Sequence, residues 1–228
     1  PCATVKVAEM AKLLENIHRC INISMINEMK IIADKMGMNI WDVIDAAATK
    51  PFGFTPYYPG PGIGGHCIPV DPFYLTWKAK EFGIHANFIE LAGEMNFKVQ
   101  DYVVEKVISA LNNHGKSLKD SKILVLGIAY KKNISDCRES PSLTIMEKLK
   151  TYGAEITWHD SFVEDVSPFR YDVGKKSDLN LDTINANDLI LILTNHDGVD
   201  YELIKNKAKL IVDTRGVYRE DCQNIIKA

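Results

Sequence analysis

The chain has 228 residues, 46% of them hydrophobic and 25% charged, enough to bury one large core or two modest ones. Its net charge of −3 comes without any Lys/Arg-rich block, which argues against nucleic acid as the main partner. No apolar run approaches the ~18 residues needed to span a bilayer, and no signal-peptide pattern opens the chain, so a cytoplasmic protein with no membrane partner is expected.

The sequence starts at Pro1 without an initiator methionine, which suggests a piece of a longer protein. From Thr4 to Lys35 apolar residues recur at helical spacing. Val7, Met10, Ala11, Leu14, Ile17, Ile21, Met25 and Met29 fall on or near one stripe, and Gly37 is a stop signal. This stripe is longer than a small domain must cover, so it is expected to form the core of a two-fold dimer. "NIWDVIDAAATK" predicts a short helix capped by Asn39. A Pro/Gly-rich loop follows, and then "PFYLTWKAKEFG" and "HANFIELAGEMNFKVQDYVVEKVISALNNHG" predict two further helices.

Beyond Ser117 the pattern changes. "SKILVLGIAY" is a continuous apolar run of strand length, and "SPSLTIMEKLKTYG" is a helix with Ser140 as cap and Pro141 at its first position. "EITWHD", "NDLILILTNH" and "KLIVDTRG" are further strands. Unalternating strands separated by helices read as a parallel sheet covered on both faces. The expected fold is therefore α/β: a helical domain over 1–117, followed by a doubly wound parallel-sheet domain over 118–228. Its first strand runs into "GIAYKK", one glycine where the dinucleotide fingerprint needs three. Lys131, Lys132 and Arg138 occupy that turn instead, either as phosphate ligands or as solvated loop charges.

The stretch "YYPGPGIGGHCIPVDPFYL" surrounds Cys67. The five cysteines are scattered, without zinc-site or C-x-x-C spacing, and are expected to be reduced. A buried structural thiol is the ordinary reading of any one of them. Dense Gly and Pro, however, hold backbone close to a ligand rather than inside a core. A thiol on so rigid a loop, with Asp71 near enough to accept a proton, is a nucleophile candidate. His66 is expected to point away, as neighbours on an extended loop do, and a Cys67–His66 hydrolase would lack a group to orient the histidine.

These residues resemble the UDP-glucose/GDP-mannose dehydrogenase family. "PGIGGHCIPVD" matches its loop F/P-G-x-G-G-x-C-x-P-x-D, and "AEMAKLLEN" matches A-E-x-x-K-x-x-x-N, with Lys12 and Asn16 on one helical face. "AYKKNISDCRES" and "DTRG" follow in the family's order, and the longer string from Tyr57 to Asn96 looks most like the branch acting on UDP-N-acetylglucosamine.

The resemblance implies an NAD-dependent, two-step oxidation of a UDP-sugar 6-hydroxyl to the uronate. A Cys67 thiohemiacetal and then a thioester would carry the second step. Lys12 and Asn16 would stabilise the oxyanion, and Asp71 would assist proton transfer and orient water. Tyr58, Pro59, Gly60, Pro61, Gly62, Ile63, Gly64, Tyr130, Lys131 and Arg215 would contact the UDP-sugar, and Arg138 would contact NAD. The implied assembly is a homodimer through the N-terminal helix. The family's N-terminal NAD domain, with its glycine fingerprint and its catalytic glutamate and threonine, has no counterpart in the sequence. The other reading is therefore a non-catalytic sugar-nucleotide-binding or dimerisation module.

Overall fold

The computed structural model describes residues 2–166 and 171–228. Four helices come first: α1 (Val5–Lys35), α2 (Ile40–Ala48), α3 (Asp71–Lys80) and α4 (Asn87–Asn113). Thr4 caps α1, its hydroxyl accepting from Val7 N at 3.2 Å, and Asn39 caps α2, accepting from Trp41 N at 3.2 Å. Then come β1 (Lys122–Leu126), α5 (Pro141–Thr151), β2 (Glu155–His159), β3 (Lys175–Lys176), α6 (Leu181–Ala186), β4 (Leu189–Ile192), α7 (Tyr201–Lys207), β5 (Ile211–Asp213) and β6 (Ile225–Lys227).

The six strands form one parallel sheet in the order β3-β2-β1-β4-β5-β6. Alternate residues of each strand enter separate cores. Ile123, Val125, Leu189 and Leu191 meet α5 and the second half of α4 on one face. Leu124, Leu126, Ile190 and Ile192 meet α6 and α7 on the other. The first half of α4 packs on α1 and α3, so this helix joins the helical layer to the sheet. The expected strand 121–130 stops at Leu126, because Gly127 turns at φ +77° and Ile128 and Ala129 leave the ladder to bind a side chain described below.

One local expectation changes, and the exposure of α1 is now defined. Ser140 stands at the N-cap position of α5, but its hydroxyl donates to Ile128 O at 2.7 Å instead of accepting from the helix, and Pro141 opens the helix as expected. The inward face of α1 is not the apolar stripe. It comprises Asn16, Ile17, Cys20, Ser24, Asn27 and Lys30, while Val7, Met10, Leu14, Met25 and Met29 are exposed. The polar side chains turn inward because each has a partner there: Ser24 Oγ donates to Ala92 O at 2.8 Å, and the others bind the cysteine loop or its flank.

Candidate functional site

The loop from Tyr57 to Val70 lies between the helices and the carboxyl end of the sheet, and backbone bonds fasten it at both sides. On the helical side, Asn27 Oδ1 accepts from Gly60 N at 2.9 Å and Lys30 Nζ donates to Gly60 O at 3.1 Å. Asn96 of α4 grips the next peptide, accepting from Ile63 N at 2.6 Å and donating to Ile63 O at 3.3 Å. On the sheet side, Gly65 N donates to Arg138 O at 3.0 Å. Two glycines are required by contact. A Cβ on Gly60 would lie 2.6 Å from Arg215 Nη1, and one on Gly64 would lie 2.7 Å from Glu139 O.

Cys67 is exposed at the far end of this loop. The chain turns here, with Val70 N and Asp71 N donating to Cys67 O at 3.2 and 2.8 Å, and α3 begins at Asp71. Because the segment is turned rather than extended, His66 does not point away: its Nδ1 lies 3.6 Å from Cys67 Sγ. No hydrogen bond orients His66 Nε2 among the described residues. Asp71 Oδ2 accepts from Asn16 Nδ2 at 2.6 Å, and Asn16 Oδ1 accepts from Arg19 at 2.5 Å, so Asn16 and Asp71 are joined across α1 and α3. Lys12 is not joined to them; it lies in solvent one turn earlier, 3.2 Å from Glu15.

Of the ten residues expected to contact a sugar nucleotide, Tyr58, Gly60, Gly62, Ile63, Gly64, Tyr130, Lys131 and Arg215 line one cavity of about 180 Å³, together with Ile23 and Ile68. Pro59 and Pro61 are buried behind it. Two cations face this space differently. Lys131 has no ion-pair partner among the described residues. Arg215 is half-buried and donates through Nε to Leu193 O at 2.6 Å; burial, only partly offset by Asp213, pulls its guanidinium down to about 10. Arg138 is exposed and held by Asp136 at 2.7 Å, which keeps that carboxyl below its usual range. Lys132 is likewise taken, by Asp197 at 2.6 Å.

Sequence reading missed five residues that hold the site: Asn27, Lys30, Asn96 and the Asp160–His196 pair. The visible signal for the first three is a polar side chain recurring on the same helical row as buried apolar ones. Asp160 directly follows β2, and its Oδ2 accepts from Ile128 N, Ala129 N and His196 Nε2 at 2.8, 3.1 and 2.9 Å. Its Oδ1 accepts from Phe162 N and Val163 N at 2.8 and 3.0 Å. His196 Nδ1 accepts from Asn133 N at 2.9 Å. The pair thus fixes the turn that carries Tyr130 and Lys131.

The same pair bears on NAD. In sheets of this strand order a dinucleotide lies at the crevice beyond β1 and β4, its ribose held by an acid at the end of the second strand. Here that acid is buried and fully engaged within the chain. A Cβ on Gly127 would meet Thr194 O at 2.1 Å, so the turn is already in contact with its neighbour. The residues around this crevice do not fit NAD.

Comparison with known proteins gives a consistent picture. Residues 6–98 match the central domain of the UDP-glucose/GDP-mannose dehydrogenase family, and residues 124–220 match its UDP binding domain. The chain is 35% identical over 225 residues to a UDP-N-acetyl-D-mannosamine dehydrogenase of Methanocaldococcus jannaschii, covering 95% of this chain and 48% of that protein. It is 37% identical over 161 residues to a UDP-N-acetyl-D-glucosamine 6-dehydrogenase of Pseudomonas aeruginosa, covering 71% of this chain and 38% of that one. Among solved structures, a UDP-D-ManNAc dehydrogenase from Pyrococcus horikoshii superposes with a TM-score of 0.83 at 30% identity, over 96% of this chain and 50% of that one. The chain thus spans about half the length, or less, of the proteins it matches.

Proposed function

Since the chain belongs to the UDP-glucose/GDP-mannose dehydrogenase family, we propose that it is the thiol-bearing, sugar-nucleotide-holding half of a cytoplasmic NAD-dependent dehydrogenase. The substrate is a UDP-N-acetylhexosamine, glucosamine or mannosamine, whose 6-hydroxyl is oxidised to the uronate for polysaccharide biosynthesis. Residues 1–117 carry the cysteine loop and the dimer contact, and residues 118–228 hold the UDP. The observation that carries this reading is the loop itself. One end lies against two cations suited to a diphosphate, and the other presents Cys67 beside the Asn16–Asp71 pair.

A companion nicotinamide-binding half, near which Arg138 would lie, would hold NAD, two molecules of which would supply the oxidation by taking one hydride each from the sugar; no hydride step is assigned to the residues here. This chain's own part is covalent capture. Cys67 Sγ, as thiolate, adds to the C6 aldehyde, and the C=O π pair moves to oxygen as an alkoxide, which Asn16 and Lys12 stabilise by donating N–H. At the later thioester, Asp71 takes a proton from the attacking water. The C–S bond breaks, and acid and thiolate are released. Asn16 holds Asp71 in place for this at 2.6 Å.

A calorimetric titration tests the holding role. Lys131→Ala removes an unpaired surface cation without touching the core, so it is expected to weaken UDP-N-acetylglucosamine or UDP-N-acetylmannosamine binding about 10- to 100-fold, as for one charge-assisted contact. An unchanged Kd in a folded Lys131→Ala protein would place the diphosphate elsewhere.

The dimer has its own test. The exposed row Val7, Met10, Leu14, Met25 and Met29 is apolar surface that none of the described residues covers. Light scattering is expected to show a two-fold dimer at micromolar concentration and a monomer for Leu14→Glu. A wild-type protein that is strictly monomeric, or an unaffected Leu14→Glu dimer, would rule out this face.

A further inference from the structure

Lys30 lies midway along α1 and is 2% exposed, an unusual position for an ammonium group. Its Nζ donates to Gly60 O at 3.1 Å, and among the described residues no carboxylate bonds to it. Every charged group facing it comes from the elements packed around that point. Asp34 of α1 is engaged by Lys106 of α4 at 2.7 Å. Asp213, at the end of β5, accepts from Arg215 N and Tyr218 N at 2.9 and 3.0 Å. The Tyr102 ring of α4 lies 5.4 Å from Nζ. Lys227 and Ala228, at the end of β6, line the same small cavity as Lys30, Lys227 being paired with Asp221 at 2.8 Å. Arg215 is a further neighbour, and its guanidinium rests on Gly60, the same residue whose carbonyl Lys30 holds.

We propose that Lys30 is a positioning residue coupled to occupancy of the Arg215 cavity: an anionic diphosphate arriving on Arg215 draws a proton onto Lys30, whose charged form then holds the Gly60 carbonyl more tightly. This deepens the reading above, because it rests on a sugar diphosphate occupying that cavity. Burial first, and then the charge of Arg215, pull the Lys30 ammonium down to about 7, with Asp213 and Asp34 acting in the opposite direction. A diphosphate beside Arg215 cancels the repulsive part, so the folded protein binds protons more strongly with ligand than without it. Binding is then strongest at low pH and weakens as pH rises through the Lys30 titration, by at most about tenfold per pH unit. The proton goes to Nζ, and its source is the buffer.

The test is calorimetric titration with UDP-N-acetylglucosamine at about pH 8 in two buffers of different ionisation enthalpy, where the heat difference counts protons exchanged. A diphosphate diester has no group that titrates near neutrality, so the ligand contributes none. The wild-type protein is expected to take up a fraction of a proton. Lys30→Met should bind with no uptake. Saturable binding without uptake, or equal uptake in Lys30→Met, overturns the coupling alone; absence of saturable binding overturns the reading of the cavity with it. If Lys30→Met does not fold, the wild-type profile decides. Uptake must rise from near zero below about pH 6 to a maximum above 7, and a flat profile overturns the coupling.

Discussion

Cys67→Ser is expected to cost the assembled dehydrogenase roughly a thousandfold in formation of the acid, while leaving sugar-nucleotide binding near its wild-type value. The loop does not depend on the sulfur for its shape. Its position is set by Gly60, Ile63 and Gly65 backbone bonds and by the turn that closes on Cys67 O. The only hydrogen bond at Sγ among the described residues is with His66 Nδ1 at 3.6 Å, a weak contact on an exposed loop. Serine is therefore tolerated by the fold but not by the chemistry. A thiol is intrinsically acidic and nucleophilic, whereas a hydroxyl needs an oriented base, and no hydrogen bond among the described residues orients His66 Nε2. NADH production and chromatography of the sugar nucleotide, alongside a measured Kd, separate the two effects. Acid produced at the wild-type rate by Cys67→Ser would dismiss this thiol as the nucleophile.

The second large effect is structural. Asp160→Ala is expected to destabilise the protein by on the order of 3–5 kcal/mol, because it strands buried donors rather than removing a surface charge. Burial on its own pushes the Asp160 carboxyl up. The bonds from His196, Phe162, Ala129 and Ile128 outweigh it and bring the group down to about 2, against an ordinary value of 3.8. A carboxyl whose folded value is depressed contributes stability above its unfolded value and loses it as pH falls through the folded one. Asp160 therefore supplies about 2 kcal/mol at neutrality that is lost between roughly pH 4 and pH 2. Thermal melts over that range should show a steeper acid loss in wild type than in Asp160→Ala. A melting temperature for Asp160→Ala within about 2 °C of wild type at pH 7 would remove the network's claim to hold the carboxyl end of the sheet.

The elements were legible wherever the local signal was long. The helical periods of α1 and α4, the Asn39 cap and the runs "KILVL" and "LILI" lie where the structure has them. β3, with two residues, and β6, with three, are too short to show any period. The cysteine loop stood out because Gly and Pro cluster in one short string and Lys131 because it stands among cations after β1, whereas Arg215 came only from the resemblance of "DTRG". Asn27, Lys30 and Asn96 did not stand out, since a polar residue on a buried helix row looks like a solvated one until its distant partner is placed. The apolar row of α1 was read as a face for a second copy of the chain, and most of it is exposed. Asp160 and His196 are 36 residues apart and gain their meaning only from the order of the strands.

The loop's double anchorage has a consequence for which molecules can react. Gly60 is pinned under Arg215, Gly64 is wedged against Glu139, and Asp71 starts a helix tied back to Asn16. With no slack between these points, the interval from Gly60 to Cys67 behaves as a ruler laid along the bound molecule. A compound seated by its diphosphate has the atom at one set reach offered to sulfur, and a chain one atom longer or shorter presents the wrong carbon. Selection by length would then be written into the backbone, and inserting a single residue into the loop would shift which carbon is read without altering any side chain that reads it.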